Sequence, residues 1–203
     1  MLVSDTRNDY EIIEGVKIIA PSPDMGHSSI VMNLSATIGA YVKINKLGIC
    51  FGDHMDVHFP DGSLFQPDFI FISAANAQLF WENKRRTLHG VPDMVAEILS
   101  QSTMKRDMGI KKDIYERNGV KEYWIIDPWR ETVDVYLLRG GKYELDGHYE
   151  NWSDDELAEL EESRDLSDEE KAELKAQYKP EVPVAVLDGF KVKIRNIFGW
   201  YFE

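Results

Sequence analysis

The sequence predicts an α/β fold, a central β-sheet flanked by helices, and three observations carry that prediction. Between Val91 and Trp129 an apolar run, an amphipathic helical stretch and a second apolar run succeed one another in about 35 residues, the span of a βαβ-like unit. Alternating runs of strand type lie on both sides of it. An acidic segment nearer the C-terminus reads as two helices set apart from the sheet. With 203 residues, 43% of them hydrophobic, the chain buries a proper core as one domain over 1–203, whereas two domains would each be small.

In chain order, Tyr10 to Ala20 reads as a hairpin turned at Glu14-Gly15, and Pro21-Ser22-Pro23 separates it from the first helix. His27 to about Asn45 is helical by period, with Ile30, Leu34, Ile38 and Tyr41-Val42 on one stripe. Ile49 to Phe59 and Pro67 to Ile72 are strand candidates. Phe51, Met55, Val57 and Phe59 face one way in the first, apart from Asp53, and Asp68, Ile70 and Ile72 share a face in the second. A short helix through Leu79-Phe80-Trp81 and a basic loop at Asn83 to Arg86 come next. Met94 to Leu99 then puts Val95, Glu97 and Leu99 on one face and Met94, Ala96 and Ile98 on the other, as an internal strand of a covered sheet does. Asp68 and Glu97 are therefore acids in strands that read as buried, which is costly unless each is paired, protonated or bound to a cation.

Ser100 to Thr103 supplies N-cap chemistry for a helix that runs to about Asn118 and stops at Gly119, a residue suited to the left-handed position past a helix end. At about 100° per residue, Met104, Asp107, Ile110, Lys111, Ile114, Tyr115 and Asn118 fall on one arc, while Lys105, Lys112, Asp113 and Glu116 point away. Lys111 lies inside the apolar arc and Lys112 does not. Glu122 to Asp127 is the next strand, ended by Asp127-Pro128. Thr132 to Leu138 alternates as a strand and turns through Arg139-Gly140-Gly141 into Lys142 to Leu145. Ser153-Asp154-Asp155-Glu156 and Ser167-Asp168-Glu169-Glu170 both have capping-box spacing. Residues 150–179 thus form a charged helical hairpin, inserted before the last strands, Val182 to Val186 and Phe190 to Ile194.

The net charge of −13 opposes a nucleic-acid partner, but it is local: residues 150–179 hold 12 Asp/Glu against 4 Lys/Arg, a net of −8 that leaves −5 for the rest. Cations gather at Lys84, Arg85, Arg86, Lys105, Arg106, Lys111, Lys112, Arg117 and Lys121, either as a solvated helix face or as a phosphate-tracking patch. No stretch approaches the roughly 18 apolar residues of a membrane span, and Met1 to Tyr10 lacks the apolar centre of a secretory signal. The expectation is a soluble, cytoplasmic protein with no membrane contact. The single Cys50 forms no internal disulfide and reads as a buried, inert thiol. His54 and His58, four apart on a strand, do not make a helical zinc pair, and no Cys cluster completes a zinc site. Trp81, Tyr123 and Trp124 read as core aromatics.

The order Pro92-Asp93, Glu97-Ile98-Leu99-Ser100, Ser102-Thr103, Asp107, Lys111, Tyr115, Gly119-Val120, Glu122-Tyr123-Trp124 and Asp127-Pro128 resembles the Uma-two group of restriction endonucleases, within the PD-(D/E)XK nuclease superfamily. Glu14-Gly15, the proline pair before His27, Gln66-Pro67-Asp68 and Leu187-Asp188-Gly189-Phe190 fit as well, whereas the segment from about Glu150 to Tyr178 does not. The resemblance implies a restriction-endonuclease-like mixed central sheet and hydrolysis of DNA. It also implies catalytic roles for Asp68, Glu97 and Lys111, and Mg (or Mn) held by Asp68, Glu97 and the carbonyl of Ile98. In the superfamily the lysine stands two residues after the acid on the same strand. Here that position is Leu99, and the resemblance moves the lysine to the following helix, at Lys111 with Lys112 as the alternative.

The residue chemistry runs the same way. Hydrolysing a phosphodiester at neutral pH needs charge neutralisation and an activated water, which carboxylate-bound divalent ions supply. Magnesium is typically held by one or two protein carboxylates, so Asp68 and Glu97 on neighbouring strands are enough. A lysine beside the ion stabilises developing charge without being a ligand. Asp107, one turn before Lys111, is an orienting partner or an outer-shell contact, and His27 and Tyr115 are secondary candidates. Asp93 also comes after a proline, but it lies four residues from Glu97 on one strand, roughly 13 Å at about 3.3 Å per residue, too far to share an ion. The expected protein is a metal-dependent DNA endonuclease working as a homodimer, since cutting both strands takes two sites. Two other readings stay open: a noncatalytic nuclease-fold module that binds nucleic acid or a basic protein, and a hydrolase of small phosphate or sugar esters.

Overall fold

The structure is a computed structural model and describes residues 10–19, 22–52, 55–76, 78 and 87–199. β1 (Tyr10–Ile13) and β2 (Val16–Ile19) form the expected hairpin, with Glu14 and Gly15 at φ 50° and 80° in the two left-handed positions that such a short turn requires. α1 (residues 25–44) starts at an Asp24 cap whose carboxylate accepts the His27 N–H at 2.8 Å, and it buries Ile30, Leu34, Ile38 and Val42. A π-turn at Ser35–Gly39 interrupts it.

Six strands form the main sheet: β3 (Gly48–Gly52), β6 (Phe69–Ser73), β8 (Met94–Ile98), β9 (Glu122–Asp127), β10 (Thr132–Arg139) and β11 (Lys142–Glu150). Their order is β11-β10-β9-β8-β6-β3, and β8 with β9 is its parallel pair, so the sheet is mixed. α2 (residues 104–118) is the crossover between those two strands, ended by Gly119 at φ 88° as its sequence requires. One face of the sheet packs Met94, Ala96, Ile98 and Trp124 against α1; the other packs Val95, Leu99 and Tyr123 against Ile114 and Tyr115 of α2. The alternation read from 94–99 is the observed one, and Glu97 falls on the α2 face.

Two expectations need correction. The run 49–59 is not one strand: β3 belongs to the main sheet, while β4 (Val57–His58) joins a second sheet with β5 (Leu64–Phe65) and β7 (Leu88–His89), in the order β2-β1-β5-β4-β7. Alternation is the same before and after a bend, so it cannot show where a chain changes sheets. Asp53 and His54 lie outside the described residues, as do the helix read at 79–81, with Trp81, and the basic loop at 83–86. The last two strands are shorter than read, β12 (Glu181–Pro183) and β13 (Lys191–Lys193), and pair with each other rather than with the main sheet. Val182, Val184, Val192 and Ile194 still fill the core on the α1 side.

The acidic hairpin forms as α3 (Asp154–Glu162) and α4 (Asp168–Gln177), both with complete capping boxes, Ser153 with Glu156 and Ser167 with Glu170. Neither helix buries a residue, and Leu157, Leu160 and Leu174 join neither core. Its ends do lie together, but not because the flanking strands rejoin one sheet, since β11 and β12 lie in different sheets. The Trp152 and Tyr178 rings stack at 5.2 Å and close the segment. A final short helix, α5 (Arg195–Phe198), ties back through Arg195 to Asp154 at 2.7 Å. Replacing residues 154–177 by a short Gly-Ser link should therefore leave a cooperatively folding domain whose melting temperature shifts by no more than about 3 °C, the scale of a surface change. Loss of cooperative melting would place these helices in the core. No described helix is long and apolar enough to cross a membrane.

Candidate active site

The register of β6 with β8 pairs Phe69 with Ala96, Ile70 with Val95 and Phe71 with Met94. One more step sets Asp68 opposite Glu97, and directly opposed residues of antiparallel strands point to one face. Asp68 thus immediately precedes its strand rather than lying inside it, and is half-buried rather than buried. Its Oδ2 accepts the Ile98 N–H at 2.6 Å, and its Oδ1 lies 3.1 Å from His27 Nε2. The N–H and C=O of one strand residue face the same edge, so the Ile98 carbonyl also turns toward β6. Its ladder position there falls to Pro67, which has no N–H to give.

α2 brings the cation. Lys111 Nζ is buried, 2.7 Å from Glu97 Oε1, 2.9 Å from Glu11 Oε1 and 3.3 Å from Asp107 Oδ1, the last without hydrogen-bond geometry. Tyr115 donates its hydroxyl to Glu97 Oε1 at 2.5 Å. Asp107–Lys111 is a π-turn, a widened turn often found at functional sites. The Tyr123 hydroxyl donates to the Asp107 carbonyl at 2.9 Å, anchoring that turn to β9. Glu11, Asp68, Glu97, Asp107 and Lys111 all line one cavity of about 150 Å³.

Its electrostatics are unbalanced. Burial pushes the Glu97 carboxyl well above the usual glutamate range; Lys111 opposes this, and Asp68, Asp107 and Glu11 add to it. Burial raises Asp107 too. For Lys111 burial alone would lower the pKa, but Glu97, Asp107, Glu11 and Asp68 together hold it well above the ordinary lysine value. A simple ion pair would lower the acid while raising the base, so the rise at Glu97 contradicts a balanced pair. One ammonium serves several carboxylates: Lys111 stays charged, and the surplus negative charge is most costly at Glu97.

Of the residues proposed from sequence, Asp68, Glu97, Ile98, Lys111, Asp107 and His27 meet at the cavity, and Tyr115 stands behind Glu97. Lys112 does not reach it; its Nζ lies 3.5 Å over the Tyr136 ring, so the alternative lysine is set aside. Asp93 is held elsewhere, accepting from Ser73 N–H and Lys121 Nζ at 2.7 and 2.6 Å. The cations do not form a free stripe along α2, because Lys111 is enclosed, Arg117 pairs with Asp61 and Lys121 with Asp93. The helix is capped by Ser100 Oγ, which accepts the Thr103 N–H at 3.1 Å, and not by Thr103. His58 stacks on His89 at 4.3 Å, and burial pushes the Cys50 thiol up to about 12. Glu11 was not singled out from sequence, although it shares a face with the buried Ile13, the same signal that drew attention to Asp68. Arg106 and Gln66 also line the cavity.

Among the described residues no group of three or more His, Cys, Asp or Glu side chains is arranged to hold a metal ion. The donors still suit a hard divalent ion. Carboxylate charge is in excess, Asp107 Oδ1 is buried without a hydrogen bond, and the Ile98 carbonyl has no ladder donor in Pro67. Magnesium commonly takes one or two protein carboxylates and completes its shell with water and substrate oxygens.

The sequence model of the Uma2 family, described as "Putative restriction endonuclease", matches residues 2–168. The fold is similar to that of a "putative nuclease" from Anabaena variabilis ATCC 29413, with a TM-score of 0.67 and 20% sequence identity, over 96% of this chain and 92% of that one. No curated protein matches in sequence. The family match takes in α3, and so reaches into the acidic segment that the motif resemblance leaves out; it stops short of Leu187 to Phe190.

Proposed function

The chain belongs to the Uma2 (Uma-two) family, and on that premise we propose that it is a metal-dependent endonuclease hydrolysing the phosphodiester bonds of DNA. The observation that carries this reading is the meeting of Asp68, Glu97 and Lys111, from three different elements, at one cavity. Asp68, Glu97 and the Ile98 carbonyl would hold Mg (or Mn), which when bound neutralises phosphate charge and makes a bound water nucleophilic. The protein's own groups prepare the rest. Lys111 and Tyr115 both engage Glu97 Oε1, which fixes the carboxylate and leaves Oε2 with no hydrogen bond from the described residues. His27 steadies Asp68 in the same way. Lys111 keeps a positive charge at the wall where negative charge develops on the phosphoryl oxygens. Cutting both strands takes two such sites, so a cytoplasmic homodimer belongs to the same proposal.

The test is nicking of supercoiled plasmid with and without Mg²⁺ or Mn²⁺, by the wild type and by Asp68→Asn, which keeps the side chain's size. Cleavage should require the ion and fall by about 10²-fold or more in the variant. Undiminished cleavage in chelator, or by Asp68→Asn, would overturn the metal site. No cleavage of DNA by the wild type under any of these conditions would overturn the activity.

A further inference from the structure

Lys111 does not answer the substrate's charge alone. Its ammonium is enclosed by the carboxylates of Glu97, Glu11 and Asp107, which share its one positive charge. A phosphodiester approaching this cavity meets the carboxylates of Glu11, Asp68, Glu97 and Asp107, and repulsion by them must be offset by a cation with donors to spare. Arg106 is such a cation. It lies in the first turn of α2, next to Asp107, and lines the cavity. Its Nε is buried and donates no hydrogen bond, and among the described residues Arg106 makes no ion pair despite the acids that share its cavity. A buried donor left unpaired is costly, so the position calls for an acceptor that the described residues do not supply.

We propose that Arg106 is a phosphate-binding residue, its guanidinium taking the non-bridging oxygens of a nucleic-acid backbone phosphate at this cavity; this rests on the nuclease reading above. The guanidinium fork matches two phosphate oxygens in a way a lysine does not. A contact from Arg106 to a backbone phosphate carries no sequence information.

Binding of labelled duplex DNA is measured by fluorescence anisotropy in chelator, where no cleavage intervenes, from 50 to 200 mM KCl. The proteins are the wild type, Arg106→Met, Arg106→Lys and, as a control with the same charge change, Lys43→Met on the exposed end of α1. Arg106→Met should weaken binding about 10-fold or more on every duplex sequence alike, and should reduce the slope of log affinity against log salt by about one, the value of one lost phosphate contact. Arg106→Lys should keep the salt slope while losing part of the affinity, a split that misfolding does not produce. Lys43→Met should match the wild type. If the wild type binds DNA and Arg106→Met behaves as Lys43→Met does, the assignment is overturned while the nuclease reading stands. If the wild type binds no DNA in chelator, the Arg106 assignment is overturned, while the nuclease reading stands or falls by the plasmid-nicking test with metal.

Discussion

Lys111→Met should destabilise the fold by about 3–5 kcal/mol, the scale for breaking a buried ionic cluster, and should also lower nuclease activity by about 10²-fold or more. That is a large share of the roughly 5–15 kcal/mol that holds a domain together. The sequence alone leads to a milder expectation, in which methionine keeps the buried stem and the fold survives. The three carboxylates around Nζ change this, because removing the ammonium leaves Glu97, Glu11 and Asp107 facing one another in a buried space. Lys112→Met removes a cation from over the Tyr136 ring, a contact worth about 0.5–1 kcal/mol at a partly exposed site. Urea unfolding at pH 7, with plasmid nicking at a temperature where both variants remain folded, separates the two. Equal losses of stability and activity would contradict the enclosure of Lys111.

That contrast shows what a single sequence reveals here and what it does not. The inward placement of Lys111 is legible because α2 is buried along one side and its periodicity reports which, and the face of Glu97 is legible because side chains alternate along β8, which is buried on both faces. What surrounds Lys111 is not legible. Its partners come from β1, β8 and its own helix, and Glu11 stands 100 positions before Lys111 in the chain, so no local pattern joins them. The same limit accounts for the corrections at the sheets. β4, β5 and β7 are two residues long, too short to carry a period. β12 and β13 show which of their residues are buried, but their sequence does not say which edge they pair with. The π-turn at Asp107–Lys111 is silent for another reason: it keeps Asp107 and Lys111 on one face as an ordinary turn would, and is fixed from outside by the Tyr123 hydroxyl. The half-buried position of Asp68 just before β6 depends on the register with β8, which alternation alone leaves open.

Glu122→Gln should change how stability depends on pH, through a part of the molecule remote from the cavity. Glu122 opens β9 fully buried; Oε1 accepts the Trp124 indole N–H at 2.7 Å and Oε2 the Val186 N–H at 2.8 Å, so it pins the turn after β12 to the main sheet. Burial raises its carboxyl to about 7, against the hydrogen bonds from Val186, Trp124 and Ala185 that favour the charged form. An unfolded glutamate titrates near 4.3. Between about pH 4.5 and 7 the folded chain therefore holds a proton that the unfolded chain has released, and stability falls as pH rises across that window. The slope is at most about 1.4 kcal/mol per pH unit and the total about 4 kcal/mol. Asp61, Asp93 and Glu116 act with the opposite sign, since their carboxyls are held below the ordinary range, and they lose stability only at more acidic pH. Glutamine cannot titrate, and its amide leaves one of the donating N–H groups without an acceptor. The variant should thus be less stable than the wild type at pH 5, and the gap should narrow or reverse by pH 8. Urea midpoints at pH 5, 6, 7 and 8 read this directly, with hydrogen exchange at residues 181–194 reporting whether the change is centred on the β12–β13 hairpin. Parallel pH profiles for the two proteins would mean that Glu122 is already ionised in the folded state at pH 5.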